Sequence, residues 1–196
     1  FVIGPDINTA LKRARALEAK GYRLSYDMLG EAARSDQEAK RYMERYLGAI
    51  EAIGKAAGPM ASDHADALMK RPNISVKLSA IHPSFLPGKE ERLKAELVPR
   101  LMTLLRAARE NGIAVIIDAE EQDRLDVELD LFAHMLVHPA FVGWQGMGLA
   151  VQAYSKRALA VLRWLRQLSQ KAGKRIPVRL VKGAYWDSEI KWAQQR

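Results

Sequence analysis

Five short runs rich in valine, isoleucine and leucine alternate along the chain with longer stretches of helical period, the arrangement of parallel strands joined by helical crossovers. The runs are Tyr22 to Met28, Ile74 to Ala80, Ile113 to Asp118, Gly146 to Gln152 and Pro177 to Lys182. An extra helix precedes the first run: Asp6 offers an N-cap, Leu11, Ala14 and Leu17 an apolar face, and Gly21 a stop. After that run, Ser35 and Glu38 have capping-box spacing. Tyr42, Met43, Tyr46, Leu47, Ile50 and Ile53 then recur at three- and four-residue intervals, which predicts helix to about Ala57. Gly58 and Pro59 break the pattern, a short helix is expected from Asp63 to Met69, and Arg71-Pro72-Asn73 turns the chain into the second run.

From Lys89 to Glu110 the leucines at 93, 97, 101, 104 and 105 with Ala108 form an apolar stripe; Pro99 inside it is expected to kink or split that helix, and Asn111-Gly112 to end it. The third run is apolar until its last residue, as in a strand buried on both faces with a carboxylate at its C-terminal end. Leu125 to Leu136 and Lys156 to Ala172 read as helices, and a last helix begins near Asp187 or Ser188. Such an alternation suits a doubly wound open sheet as well as the first part of an eight-stranded barrel, and periodicity does not decide between them.

Polar residues stand at or near the C-terminal ends of all five runs: Asp27, Lys77, Asp118, Gln152, and Arg179 with Lys182. In a closed barrel these ends converge. Breaking a buried pair costs roughly 2 to 5 kcal/mol, so one shared polar site is favoured over five separate accidents, whereas an open sheet would hold only some of them at its switch point. Lys77 lies between Val76 and Leu78, so its side chain alternates with theirs and points inward. The residue type leaves open a structural ion pair, for instance with Asp118, and a Schiff-base lysine. Arg179 suits a salt bridge inside a barrel as well as a site that develops negative charge. Gln152 offers a donor and an acceptor, for a ligand edge or for loop carbonyls. Lys182-Gly183-Ala184-Tyr185-Trp186 combines small residues that allow close backbone approach, a cation for phosphates and rings for stacking; packing under a loop is the alternative for the two rings. Glu120 and Glu121 read as a solvated loop face.

Composition adds limits. A chain of 196 residues, 48% hydrophobic and 28% charged, is ordinary for a soluble globular protein with one sizeable core. No stretch approaches the roughly 20 apolar residues of a membrane span, and no secretory leader is visible, which leads to the expectation of a soluble, cytoplasmic protein. Cysteine is absent and the four histidines, His64, His82, His134 and His138, lack ligand spacing, so metal chemistry has no support. The net charge of +8 could attract nucleic acid, anionic lipid or a phosphate-bearing cofactor. Because the cations are scattered over the helices, nucleic-acid binding is not expected. The chain opens on Phe1 and stops at Arg196 inside a helical pattern, and it is expected to be a piece of a longer protein.

The blocks Ser25-Tyr26-Asp27-Met28-Leu29-Gly30-Glu31, Val76 to Pro83, Ile117-Asp118-Ala119-Glu120-Glu121, Gln152-Ala153-Tyr154 and Arg179 to Trp186 resemble the proline dehydrogenase family, in the family's order across nearly the whole chain. The last block resembles the bacterial bifunctional proline utilization A proteins most closely. The resemblance implies an α/β fold, a (β/α)8 TIM-type barrel, of which residues 1–196 would be the N-terminal part with about five strand-helix units. It implies FAD at the C-terminal strand ends and oxidation of L-proline to Δ1-pyrroline-5-carboxylate by hydride transfer to flavin N5. Lys77 would pair with the proline carboxylate, and Asp118 would lie beneath the flavin and orient Lys77. Arg179 and Gln152 would face the flavin, with Val181, Lys182, Gly183, Ala184, Tyr185 and Trp186 completing its site and Tyr185 also touching substrate. Glu31 would be half of an active-site gate whose arginine partner, like the Tyr-x-x-Arg-Arg motif for the substrate carboxylate, lies beyond this chain. A membrane quinone as electron acceptor, peripheral contact with the inner membrane, a homo-oligomer and a downstream pyrroline-5-carboxylate (glutamate-semialdehyde) dehydrogenase domain are implied for the parent. The rival readings are a Schiff-base lyase on the same barrel, using Lys77 or Lys182, and a basic nucleic-acid-binding module.

Overall fold

The computed structural model describes residues 2–30, 32–60, 65–85, 88 and 90–195. Helix α1 (Ile7–Glu18) precedes β1 (Ser25–Asp27); α2 (Asp36–Ala57) and α3 (Ala65–Met69) lead to β2 (Asn73–Val76). The one-turn α4 (Leu78–Ile81) and α5 (Glu90–Glu110) lead to β3 (Ala114–Ile117), and α6 (Leu125–Leu136) to β4 (Met147–Gln152). Helix α7 (Ala158–Ala172), β5 (Val178–Val181) and α8 (Trp186–Gln194) complete the order. All neighbouring strands pair in parallel and follow one another as β1-β2-β3-β4-β5. A doubly wound sheet reverses its order at a switch point, and this one does not, which decides for the barrel. The sheet is also curled. Arg179 of β5 donates to Ser25 Oγ of β1 at 3.1 Å, although four strand spacings of a flat sheet would separate them by about 19 Å.

The two faces of the arc differ in chemistry because side chains alternate. Tyr26, Ile74, Val76, Val115, Ile117, Leu149 and Val151 are buried on the outer face against the helices. Ser25, Asp27, Ser75, Lys77, Ile116, Asp118, Gly148, Ala150, Gln152, Arg179 and Val181 share the parity of the inner face. Ser35 caps α2 as expected, its Oγ accepting from Glu38 N at 3.2 Å, but Glu38 reaches back to Arg34 N at 2.8 Å and not to Ser35 N, so the capping box is only half formed. Asp6 caps α1 through Thr9 N, as expected. Of the expected apolar face of that helix, Ala14 is buried and Leu11 packs against the core, joined by Ala10, whereas Leu17 is exposed.

Two expectations are corrected. Leu78 to Ala80 continue not as strand but as the buried turn α4, so Lys77 is the last extended residue of its run. Helix α5 is not split: it continues through Pro99, with Leu97, Leu101, Leu104 and Leu105 fully buried. The leucine burial, about 2 kcal/mol per side chain, outweighs the single helical hydrogen bond that the proline removes. Helix α8 starts at Trp186, one residue before the expected range. Asp63, His64 and Lys89 lie outside the described residues.

Several cations hold the frame together from inside. Arg71 donates to the carbonyls of Ala57 (3.3 Å), Gly58 (2.7 Å), Pro59 (3.2 Å) and Gly112 (2.6 Å), closing the C-terminus of α2 and the turn after α5. Lys174 Nζ does the same for Leu136 (2.6 Å) and Phe141 (2.7 Å) beyond α6. Part of the +8 charge is therefore structural, which weakens the nucleic-acid reading. Among the described residues no helix is long and apolar enough to cross a membrane.

Helix α6 buries a carboxylic acid. Glu128 is 1% exposed, and burial, then the charge of Glu120, push its pKa well above the usual 4.5. A folded-state pKa above the unfolded one gives stability that is full below the unfolded value and is lost as pH rises through the folded value. Glu128→Gln is expected to abolish most of this decline, so that melting temperatures measured at pH 5 and pH 8 converge. A variant whose melting temperature falls between those two pH values as steeply as the wild type would assign the decline to other groups.

Candidate active site

Extending the register Val76↔Ile117↔Leu149 by one residue aligns Lys77, Asp118 and Ala150 on the inner face, and Ala150 pairs with Arg179. Four strands thus contribute to one row at the C-terminal half of the sheet. Lys77 Nζ donates to Asp27 Oδ1 at 2.8 Å and to Asp118 Oδ2 at 3.0 Å. Arg179 Nη2 donates to the other oxygen of Asp118, and its Nη1 to Ser75 Oγ at 2.8 Å and Ser25 Oγ at 3.1 Å. Ser25 in turn donates to Asn73 Oδ1 at 2.6 Å. Asp118, its side chain 10% exposed, therefore carries one cation on each oxygen.

Burial pulls the Lys77 pKa down, but the hydrogen bonds and charges of Asp27 and Asp118 outweigh it and hold the ammonium above the usual lysine value. Lys77 is then protonated throughout the physiological range. A Schiff-base lysine needs a neutral amine, so the lyase reading loses Lys77. Behind the row, Tyr46 of α2 accepts from Lys77 N at 3.3 Å, and burial pushes its phenol up to about 12.

Two residues beyond Ala150 on β4, Gln152 ties two loops together. Its Nε2 donates to Glu120 O at 2.8 Å and its Oε1 accepts from Ala184 N at 3.3 Å. Of the two roles left open for Gln152, the geometry displays the loop contacts. Glu120 is not a solvated loop residue: it is 3% exposed, accepts from Ser79 N at 3.0 Å and lies 3.4 Å from Arg124. Glu121 is half-buried and 3.2 Å from the same arginine. Gly183 has φ +105°, and a Cβ there would lie 2.4 Å from the Tyr154 ring, so the turn after β5 is restricted to glycine. Val181 is half-buried beside Gln152, Tyr185 is half-buried, and Ala184 and Trp186 are exposed at the rim. Lys182 is exposed with the outward parity of Leu180 and does not join the row. Glu31 lies outside the described residues. His82 is buried with Nε2 2.9 Å from Glu96, and among the described residues no cluster could hold a metal ion.

The strand-end row gathers charged side chains from four strands at one end of the sheet. A family model described as proline dehydrogenase matches residues 10–196. The chain belongs to the proline dehydrogenase family. It is 47% identical over 194 residues to the bifunctional protein PutA of Escherichia coli (strain K12), which covers 99% of this chain and 14% of that protein. It is 30% identical over 189 residues to proline dehydrogenase 1 of Bacillus subtilis (strain 168), 96% of this chain and 52% of that one. The crystal structure of proline utilization A from Bdellovibrio bacteriovorus inactivated by N-propargylglycine matches the whole chain with a TM-score of 0.91 at 31% identity, over 21% of its own length. A mutant of the Bradyrhizobium japonicum proline utilization A gives 0.84 at 48%, over 19% of its length.

For a proline dehydrogenase chain, Lys77, Asp118 and Arg179 stand together as expected, with Gln152 one row beyond. Asp27, already counted among the polar strand-end residues, shares the Lys77 ammonium; Ser25 and Ser75 pin Arg179, and neither serine is singled out from the sequence. Their signal is the two-residue spacing of Ser25 with Asp27 and of Ser75 with Lys77, which places both pairs on one face. Tyr46 has no such signal, because it sits within an ordinary helical stripe.

Proposed function

We propose that the chain forms the greater part of the site of an FAD-dependent proline dehydrogenase, which oxidises L-proline to Δ1-pyrroline-5-carboxylate. The observation that carries this reading is the inner row, in which Lys77 and Arg179 share the two oxygens of Asp118. A lysine kept protonated by two carboxylates is a fixed positive point for the carboxylate of an amino acid. Asp118 would set the direction of that ammonium, and Tyr185, in the turn after β5, would meet the ring of the substrate. The residues fit a flavin in one respect visible in the geometry: Arg179 Nε is buried without an acceptor. A cation fixed there favours charge developing on a reduced flavin. Arg179, Gln152, the backbone from Val181 to Ala184, and Lys182, Tyr185 and Trp186 would hold the cofactor. Bound FAD supplies a two-electron acceptor, with N5 as the hydride site; the protein contributes orientation and electrostatics. The family resemblance alone supports a membrane quinone as final acceptor, peripheral contact with the inner membrane, and a homo-oligomer.

The visible absorption spectrum of the whole natural protein tests this reading. A flavin spectrum that bleaches on addition of proline is expected; a colourless protein, or a flavin that proline leaves oxidised, would overturn it. Lys77→Met should keep the flavin and raise the KM for proline at least tenfold, equivalent to about 1.4 kcal/mol. An unaltered KM would reduce Lys77 to a structural part.

A further inference from the structure

We propose that Ala150 is a positioning residue: its small side chain leaves open the path across β4 by which Arg179 of β5 reaches Asp118 of β3. The kinetic consequence rests on the proline dehydrogenase reading; the structural claim does not.

In the row Lys77-Asp118-Ala150-Arg179, Ala150 is the one member without a polar group, and it stands between the two that bond to each other. Strands β3 and β5 are two spacings apart, about 10 Å, so an arginine and an aspartate can meet only by extending straight toward each other over the intervening strand. The same guanidinium also reaches Ser75 of β2 and Ser25 of β1 across the inside of the arc. The contact to Asp118 is the one that has β4 alone between its partners, and the inner face of β4 carries Gly148 and Ala150 below Gln152. Position 148 is closed to any side chain, because a Cβ there would lie 2.5 Å from Pro177 O and 2.6 Å from Ile116 Cδ1. Position 150 is buried, and a branched side chain there would occupy the space between the carboxylate and the guanidinium. Size at this position therefore sets whether Asp118 holds two cations or one.

A double-mutant cycle read by urea unfolding of the whole natural protein decides the matter. Asp118→Asn shifts the urea midpoint in the parent. That shift is expected to fall by about half in an Ala150→Val background, where only the Lys77 contact remains to be lost, and to stay full in an Ala150→Ser background. Equal shifts in all three backgrounds would overturn the proposal. Should Ala150→Val not fold, a shift that also shrinks with Ala150→Ser would overturn it, since serine leaves the path open. Proline-dependent flavin reduction should slow at least tenfold with Ala150→Val and recover with Ala150→Ser; a rate equal to the parent's in Ala150→Val would likewise count against it. If the parent itself is not reduced by proline, the function reading fails while the urea cycle still judges the role of Ala150.

Discussion

Asp118→Ala is expected to lower unfolding free energy by about 3 kcal/mol and to slow proline-dependent flavin reduction at least a hundredfold, equivalent to about 2.7 kcal/mol. The substitution removes the one anion that serves both inner cations, and leaves Lys77 with Asp27 alone and Arg179 with two hydroxyls. The side chains of Asp118 and Lys77 are 10% and 16% exposed, so water recovers only part of the lost interaction. The stability figure sits at the lower edge of the range for broken buried pairs because Arg179 is more accessible. Asp118→Asn, which keeps the shape and removes the charge, should fall between the two proteins. Urea unfolding and stopped-flow spectroscopy measure both quantities. A change below about 0.5 kcal/mol would mean that the row does not hold the sheet together.

Arg71→Ala should produce a loss of similar size with a different signature. Four carbonyls lose their donor at once, at the end of α2 and in the turn after α5, and each buried acceptor left alone costs about 1 to 3 kcal/mol. Relaxation and water entry at the half-buried positions bring the expected total to about 3 kcal/mol. The inner row stands away from these contacts, so turnover per folded molecule should remain near the parent's. A variant that melts like the parent would show that water replaces the guanidinium without loss.

The parts of the fold legible from the sequence are those in which one local signal dominates. Helix α6 appears over the expected residues because its apolar spacing is unambiguous, and α2 because Ser35 and Glu38 mark its start. Leu78 to Ala80 mislead because a fully buried helical turn is apolar on every side, which a short apolar run cannot distinguish from strand. Pro99 misleads because the leucines that keep α5 whole act through partners on other elements. Strand order is non-local, so the choice between open sheet and barrel needs coordinates. In the site, Asp118 is legible as the polar end of an apolar run and Lys77 as the single cation inside one. Glu120 reads as solvated since its partners, Ser79 N and Arg124, come into reach only after folding.

The contacts made by Arg179 span 154 residues to Ser25, 104 to Ser75 and 61 to Asp118, and Lys77 meets Asp27 across 50. Closing such long loops is entropically expensive, and pairings of this kind form late and slowly. The helices can therefore gain their circular-dichroism signal while the lumen is still unassembled, and binding competence should trail secondary structure during refolding. A ribosome must deliver position 179 before the aspartate at 118 finds its second cation, so the row cannot assemble until β5 has emerged.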